Sequence, residues 1–159
     1  EWDFENITNV SGMFSGAYVE SFENFKFKNT HNITNFSRMF DCAFLKVLPE
    51  IDCSGGTIMK NMVSTTRLER MGALKNVGKA YTQKTEHYTN YTVQLRGGSA
   101  LDHDSIMRVI NGLYDLNLTY DVANGGTLYR QWLDLGTVFM AKLTEDEIAI
   151  ATNKGWDVI

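Results

Sequence analysis

The chain has 159 residues, a net charge of −4 and 43% apolar residues, which fit one folded domain or a short run of repeats. A sequence pI of about 5.3 argues against a nucleic-acid partner. No run of about 18 apolar residues occurs, so we expect no membrane insertion. Cys42 and Cys53 are too few for a disulfide framework or a zinc site, so we expect buried thiols and no metal or cofactor.

Two nearly identical segments stand 26 positions apart near the N-terminus. NITNVSGMFSGA begins at Asn6 and NITNFSRMFDCA begins at Asn32. Apolar residues fall at offsets of 0, 3, 4 and 7 in each copy, which predicts a short helical arm capped by Asn9 or Asn35. The apolar positions are Val10, Met13, Phe14 and Ala17, then Phe36, Met39, Phe40 and Ala43, then Met59, Met62, Val63 and Thr66 in a weaker third copy.

A short alternation of apolar and polar residues recurs once per copy and predicts a brief β-strand. It occupies residues 2–4, 25–27 and 51–53. Periods of 20 to 50 residues are typical of solenoids. The sequence therefore predicts an α/β solenoid in which coils of short strand and short helical arm stack, with like strands parallel.

Charged residues support one register of this stack. Two outward columns alternate in sign from copy to copy, and stacked opposite charges stabilise neighbouring strands whereas like charges repel. The columns are Asp3, Lys26, Asp52 and Lys75, and Glu20, Lys46 and Glu69.

Residues 39–52, MFDCAFLKVLPEID, resemble the BspA-like leucine-rich repeats, in which an aromatic residue precedes a Cys, a Leu and a Leu-Pro or Ile-Pro pair. NVSGMFSGA is similar to the related Met-Phe repeats of bacterial surface lipoproteins. The resemblance implies leucine-rich-repeat coils over residues 1–78, with earlier repeats expected before Glu1. The third copy departs from the pattern, with Val63 in place of Phe and Thr65 in place of Cys.

The C-terminal half is similar to the helical closing segment of such arrays in tail and surface proteins of phages and of gut and lactic bacteria. The segments that carry this resemblance are LDHDSIMRVINGLYDL, GTLYRQWLDLG and KLTEDEIAIATNKGWDVI. Residues 79–159 are therefore expected to be terminal coils and a helical cap of the same solenoid. Periodicity agrees with the cap: an amphipathic helix after Asp102 or Asp104, a capping-box spacing from Thr144 to Glu147, and strands near 127–133 and 156–159.

Two polar segments invite a chemical role. LDHDS, residues 101–105, holds Asp, His, Asp and Ser, but consecutive helical residues point about 100° apart and cannot converge on one ligand. A capped helix N-terminus explains it better than a catalytic site. The segment 79–92 carries Tyr81, His87, Tyr88 and Tyr91, and its tyrosines either contact a sugar or protein or pack on the sheet edge.

These observations predict a non-enzymatic recognition module with no catalytic residue. The leading hypothesis is a phage tail or receptor-binding protein that contacts a bacterial surface glycan or protein, located in the virion. A bacterial cell-surface or extracellular adhesin or lipoprotein repeat domain, and a structural virion component that binds another virion protein, stay open, as does a homo-oligomer formed through preceding repeats. The candidate binding residues are Tyr81, His87, Tyr88, Tyr91, Glu20, Lys46, Glu69 and Arg70.

Overall fold

The computed structural model describes residues 1–63, 67–80, 93–95, 100–128 and 130–159, without the side chains of Tyr120 and Asp121. Within these ranges no helix is long and apolar enough to cross a membrane.

The strands are short, and all of their pairings are parallel. They form three separate two-stranded sheets, β1-β2, β3-β5 and β4-β6, and one three-stranded sheet, β7-β8-β9. The strands are β1 (Trp2–Asp3), β2 (Phe27–Lys28), β3 (Val47–Leu48), β4 (Ile51–Asp52), β5 (Arg70–Met71), β6 (Leu74–Lys75), β7 (Val93–Gln94), β8 (Gln131–Asp134) and β9 (Trp156–Val158).

The helices of the described chain lie mostly in its C-terminal half. The α-helices are α1 (His103–Gly112), α2 (Tyr120–Ala123), α3 (Gly136–Met140) and α4 (Glu145–Asn153), and single 3-10 turns occupy Thr30–Asn32 and Leu116–Leu118.

The sequence copies do lie beside one another. Asn9 pairs with Asn35, and Asn35 pairs with Ile58, each through a parallel bridge. The Asn9 and Asn35 side chains accept hydrogen bonds from the backbone N–H groups of Ser11 and Ser37 at 2.9 and 3.0 Å. They therefore stabilise turns rather than helix N-termini.

The predicted helical arms are wrong in the first two copies, because residues 10–17 and 36–43 form turns, whereas Thr66 of the third copy lies outside the described residues. Hydrogen bonds from Met13 N to Val10 O (3.0 Å) and from Ala17 N to Phe14 O (3.0 Å) close turns between residues three positions apart. Phe14 N instead donates to Met39 O of the next copy. Gly12 has a φ of +65°, outside the helical region. Alternate N–H groups thus bond across copies instead of along a helix.

The predicted leucine-rich-repeat solenoid with short helical arms and a helical C-terminal cap is likewise wrong. The described residues form a small mixed α/β structure of short parallel strand pairs and helices. Among the described residues of 1–78, the two-residue strands belong to three separate sheets, and none of these sheets runs through all of the copies. The division at residue 78 stays a prediction, although buried apolar residues from both halves belong to one cluster.

The core consists largely of the apolar positions that the repeat identified. Phe36, Met39 and Phe40 are fully buried, as are both cysteines. Met13 is 40% exposed because it belongs to the outermost copy. The remaining large buried side chains include Phe4, Phe22, Ile33, Leu45, Leu48, Ile51, Phe139 and Trp156.

The C-terminal elements confirm several local predictions. Asp102 caps α1 by accepting a hydrogen bond from Ser105 N at 2.8 Å, and Thr144 and Glu147 form a complete capping box on α4. Gly155 follows α4 with a φ of +85°. Strands β8 and β9 pair in parallel near the expected residues, although with β7 in a sheet of their own.

Candidate functional site

Four of the predicted binding residues lie together on one side of the repeats. Lys46 Nζ donates to Glu20 Oε2 at 3.0 Å, and Lys46 O accepts from Glu69 N at 2.9 Å, so the column Glu20, Lys46 and Glu69 is confirmed. Arg70 Nη1 lies 3.5 Å from Glu23 Oε1, two copies away. Both ion pairs, Lys46 with Glu20 and Arg70 with Glu23, are exposed to solvent, and in each pair the two charges compensate one another.

The other charge column is only half correct. Asp52 and Lys75 are Cα partners in β4 and β6, but Asp3 pairs with Lys28, not with Lys26. The strand begins two residues later than expected, and Lys28 forms its ion pair with Glu1. The other predicted binding residues, Tyr81, His87, Tyr88 and Tyr91, lie outside the described residues.

A large open cleft lies between the β4–β6 region and helix α1. Its volume is about 910 Å³. One wall comes from Glu50 and residues 72–76, and the other from residues 108–118 of α1 and the turn that follows it. Lys154, just after α4, completes the lining. We call this space the α1 cleft.

A second, smaller pocket of about 270 Å³ lies beside the α1 cleft. Gly72 and Arg108 line both spaces. The smaller pocket also includes Arg70, Glu23 and Pro49. Arg70 is therefore the predicted binding residue that reaches the cleft region.

The N-terminal end of α1 is fixed to strand β5. Met71 N donates to Ser105 Oγ at 2.9 Å, and Asp102 N donates to Glu69 O at 3.0 Å. Arg108 Nη1 donates to Met71 O at 3.3 Å and to Ser105 Oγ at 3.4 Å. The hydrogen bond from Ser105 holds the pKa of Asp102 below its ordinary value, which keeps this cap charged.

Lys154 fixes the C-terminal end of α1. Its Nζ donates to the carbonyl oxygens of Ile110 (3.2 Å), Asn111 (2.8 Å) and Leu113 (3.0 Å). These bonds satisfy carbonyls that a helix end leaves without an intrahelical partner. Burial lowers the pKa of Lys154. Both ends of this cleft wall are thus held by side chains.

Two glycines let the walls approach. A Cβ on Gly72 would lie 2.3 Å from Glu50 N, so only glycine fits beside that backbone. A Cβ on Gly112 would lie 3.1 Å from the Ala73 Cβ. The cleft is therefore shaped by backbone packing as well as by side chains.

The lining of the α1 cleft is mixed in charge and hydrogen-bonding character. Three cations and two carboxylates line it, together with two amide side chains, an aromatic ring and the exposed Leu118. Those polar and aromatic groups are Glu50, Lys75, Asn76, Arg108, Asn111, Tyr114, Asp115 and Lys154. Such a surface offers donors and acceptors to a polar ligand and one flat ring face.

The LDHDS segment forms the start of α1, as predicted. His103 Nε2 lies 2.9 Å from Glu147 Oε1, and His103 Nδ1 lies 3.5 Å from Asp104 Oδ1, so the histidine joins α1 to α4. The Glu147 contact raises the pKa of His103. Across the described ranges, no three His, Cys, Asp or Glu side chains are grouped as metal ligands.

Most cleft residues were not predicted from the sequence. They come from four segments that are distant in sequence, around residues 50, 72–76, 108–118 and 154, and no local motif joins Lys75, Arg108 and Lys154. One signal was present: Arg108 and Asn111 are polar residues three positions apart, on the face of α1 opposite its predicted apolar face.

Comparisons of the chain with protein-family models, with curated proteins and with solved structures find no match.

Proposed function

We propose that the chain is a non-enzymatic recognition module that binds a bacterial surface glycan in the α1 cleft. The observation that carries the proposal is the lining itself, in which carboxylates, amides, cations and the Tyr114 ring share an open cleft of about 910 Å³. Ring hydroxyls of a sugar both donate and accept hydrogen bonds, and carboxylate and amide side chains complement them. A tyrosine ring packs against the apolar face of a sugar while its hydroxyl stays solvated.

The location of this module is proposed from the sequence resemblance. The similarity of the C-terminal segments to phage tail and surface proteins supports a phage tail or receptor-binding protein that contacts a bacterial cell. A bacterial surface adhesin is the alternative location. Fold alone does not determine function, so the proposal depends on the cleft rather than on the architecture.

Glycan-array binding tests the proposal. The full chain is compared with Asn111→Trp, which places a large side chain on an exposed helical position that lines the cleft. Asp104→Trp, on the same helix but outside the cleft, is the matched control. We expect the chain and the control to bind the same bacterial glycans and Asn111→Trp to lose them. Equal binding by all three proteins would contradict the proposal.

A second candidate, contact with a partner protein, is favoured by exposed apolar side chains of the first copy. Tyr18 is 86% exposed, Met13 40% and Ile7 39%. Tyr18 stacks on Phe44 with ring centroids 5.0 Å apart, so two aromatic rings of neighbouring copies lie together at this surface, and grouped apolar side chains of this kind mark interaction sites. This candidate includes another virion protein as partner. It predicts that Tyr18→Glu abolishes a partner complex that Asn111→Trp leaves intact.

A further inference from the structure

We infer that the glycan bound by the α1 cleft carries a carboxylate, and that Arg108 is the residue that binds it. The inference rests on the proposed function and names its ligand class. Arg108 lines both the α1 cleft and the smaller pocket, so it is within reach of a ligand in either space.

The hydrogen bonds of Arg108 fix one side of its guanidinium group. Nη1 donates to Met71 O and to Ser105 Oγ at 3.3 and 3.4 Å. Ser105 is fully buried and belongs to the N-terminal anchor of α1, so these acceptors are themselves held in place. The Nε–Nη2 edge has no partner among the described residues. That edge presents two parallel N–H groups, the geometry that binds a carboxylate through both oxygens.

The other cations of the region already have partners. Lys75 forms an ion pair with Glu50, and Arg70 forms one with Glu23. The amino group of Lys154 donates to three carbonyls at the end of α1. Within the described ranges, no carboxylate lies at ion-pairing distance from Arg108. Arg108 is therefore the cleft cation that keeps a hydrogen-bonding edge for a ligand, while the Asp102 carboxylate acts on its charge from beyond ion-pairing distance.

The surrounding charges favour one isolated acidic group over a uniformly charged polymer. The cleft carries three cations against two carboxylates, on a chain whose net charge is −4. Glu50 on one wall and Asp115 on the other would repel further anions in the cleft. A glycan in which an acidic sugar is flanked by neutral sugars fits this arrangement.

The test uses an array of bacterial polysaccharide fragments in which each uronate-bearing glycan is present as the free acid and as its methyl ester. The methyl ester keeps the shape of the sugar and removes its charge. The full chain, Arg108→Gln, Arg108→Lys and the control Lys60→Gln are probed at low and at raised salt. Lys60 is exposed and outside both parts of the cleft.

We expect the free acid to bind about 10-fold or more tightly than its ester, in line with a charged hydrogen-bonded pair. Arg108→Gln should remove this difference, Arg108→Lys should keep part of it, and Lys60→Gln should keep all of it. Equal binding of acid and ester, or an unchanged preference in Arg108→Gln, overturns the inference while glycan binding stands. Binding of no glycan at all overturns the inference and the proposed function together.

Discussion

Phe14 and Phe40, 26 positions apart in the sequence, stack with their ring centroids 5.6 Å apart and their planes within 15° of parallel. The stack joins equivalent positions of the two copies and continues the pairing of Asn9 with Asn35. Phe40 is fully buried, whereas Phe14 is partly buried in the outer copy. The two copies therefore contribute to one shared core, in which the Phe14 side chain of the first copy is less buried than the Phe40 side chain of the second.

The unequal burial of these rings predicts unequal mutational costs. Phe40→Ala should lower the free energy of unfolding by about 3–5 kcal/mol, because it leaves a cavity among fixed neighbours. Phe14→Ala should cost about 1–2 kcal/mol, since part of its ring already contacts water. Urea denaturation measures both, with Lys60→Ala at an exposed position as a control that changes stability by less than about 0.5 kcal/mol. Equal costs for the two phenylalanines would contradict the described packing.

The three hydrogen bonds from Lys154 to the C-terminal end of α1 predict that replacing this lysine lowers the stability of the chain. Lys154→Met keeps the aliphatic stem and leaves three carbonyl oxygens without their cationic donor, so it should destabilise the chain by about 1–3 kcal/mol. Lys60→Met is the matched control at an exposed position. Thermal unfolding of the two variants compares them. A Lys154→Met variant as stable as the control would show that these hydrogen bonds contribute nothing.

The contact between His103 and Glu147 predicts a pH dependence of stability. The pKa of His103 is raised above 6.5, first by its hydrogen bond to Glu147 and then by Asp104. A raised folded-state pKa means that the contribution is fully present below the unfolded value and is lost as pH rises through the folded value. The pKa of Glu147 is lowered below 4.5, chiefly by the backbone hydrogen bond from Thr144, so its own contribution is lost as pH falls through that lowered value.

Unfolding free energies measured across this range test the contact. Below the ordinary histidine pKa of 6.5 the chain should be more stable than His103→Gln, and the difference should disappear once the pH exceeds the raised pKa of His103 in the folded chain. Glu145→Gln, at another acidic residue of the first turn of α4, should leave the pH dependence of the His103 contribution in place. A difference that grows with rising pH would have the wrong sign for this contact.

The burial of Cys42 and Cys53 predicts that their thiols react slowly with reagents in solution. Both side chains are fully buried, and burial is the first cause that raises the pKa of each thiol. The reactive species is the thiolate, which such sites disfavour. A chromogenic disulfide reagent should therefore leave both cysteines unmodified in the native chain and modify both in concentrated guanidinium chloride. Rapid modification of the native chain would contradict the burial of Cys42 and Cys53.

The sequence was informative about the core and misleading about its local conformation. Offsets of 0, 3, 4 and 7 identified Phe36, Met39 and Phe40 as buried, but consecutive turns place side chains at nearly the same spacing as a helix. The left-handed backbone of Gly12 and Arg38, with φ values of +65° and +55°, breaks the helix, and for arginine no residue type announces this. The predicted solenoid was wrong because its helical arms are turns and because the described strands form separate sheets.

The register and the cleft show a second limit. Glu20, Lys46 and Glu69 were aligned correctly because the copies keep their spacing there. The sequence aligned Lys26 with Asp3, but the strand partner of Asp3 is Lys28, two residues later. Local caps such as Asp102 and the Thr144–Glu147 box were predictable, because they depend on neighbours within three residues. The α1 cleft depends on tertiary packing of distant segments and left only two polar residues on one face of α1.

Amide chemical shifts in a two-dimensional NMR titration test most directly whether the α1 cleft is the binding site. The labelled chain is titrated with the bacterial glycan that gives the strongest array signal. We predict shifts confined to residues 72–76 and 108–118 and to Lys154, with the turns of residues 10–17 unmoved. Shifts centred on the first copy, with the cleft amides unmoved, would contradict the account.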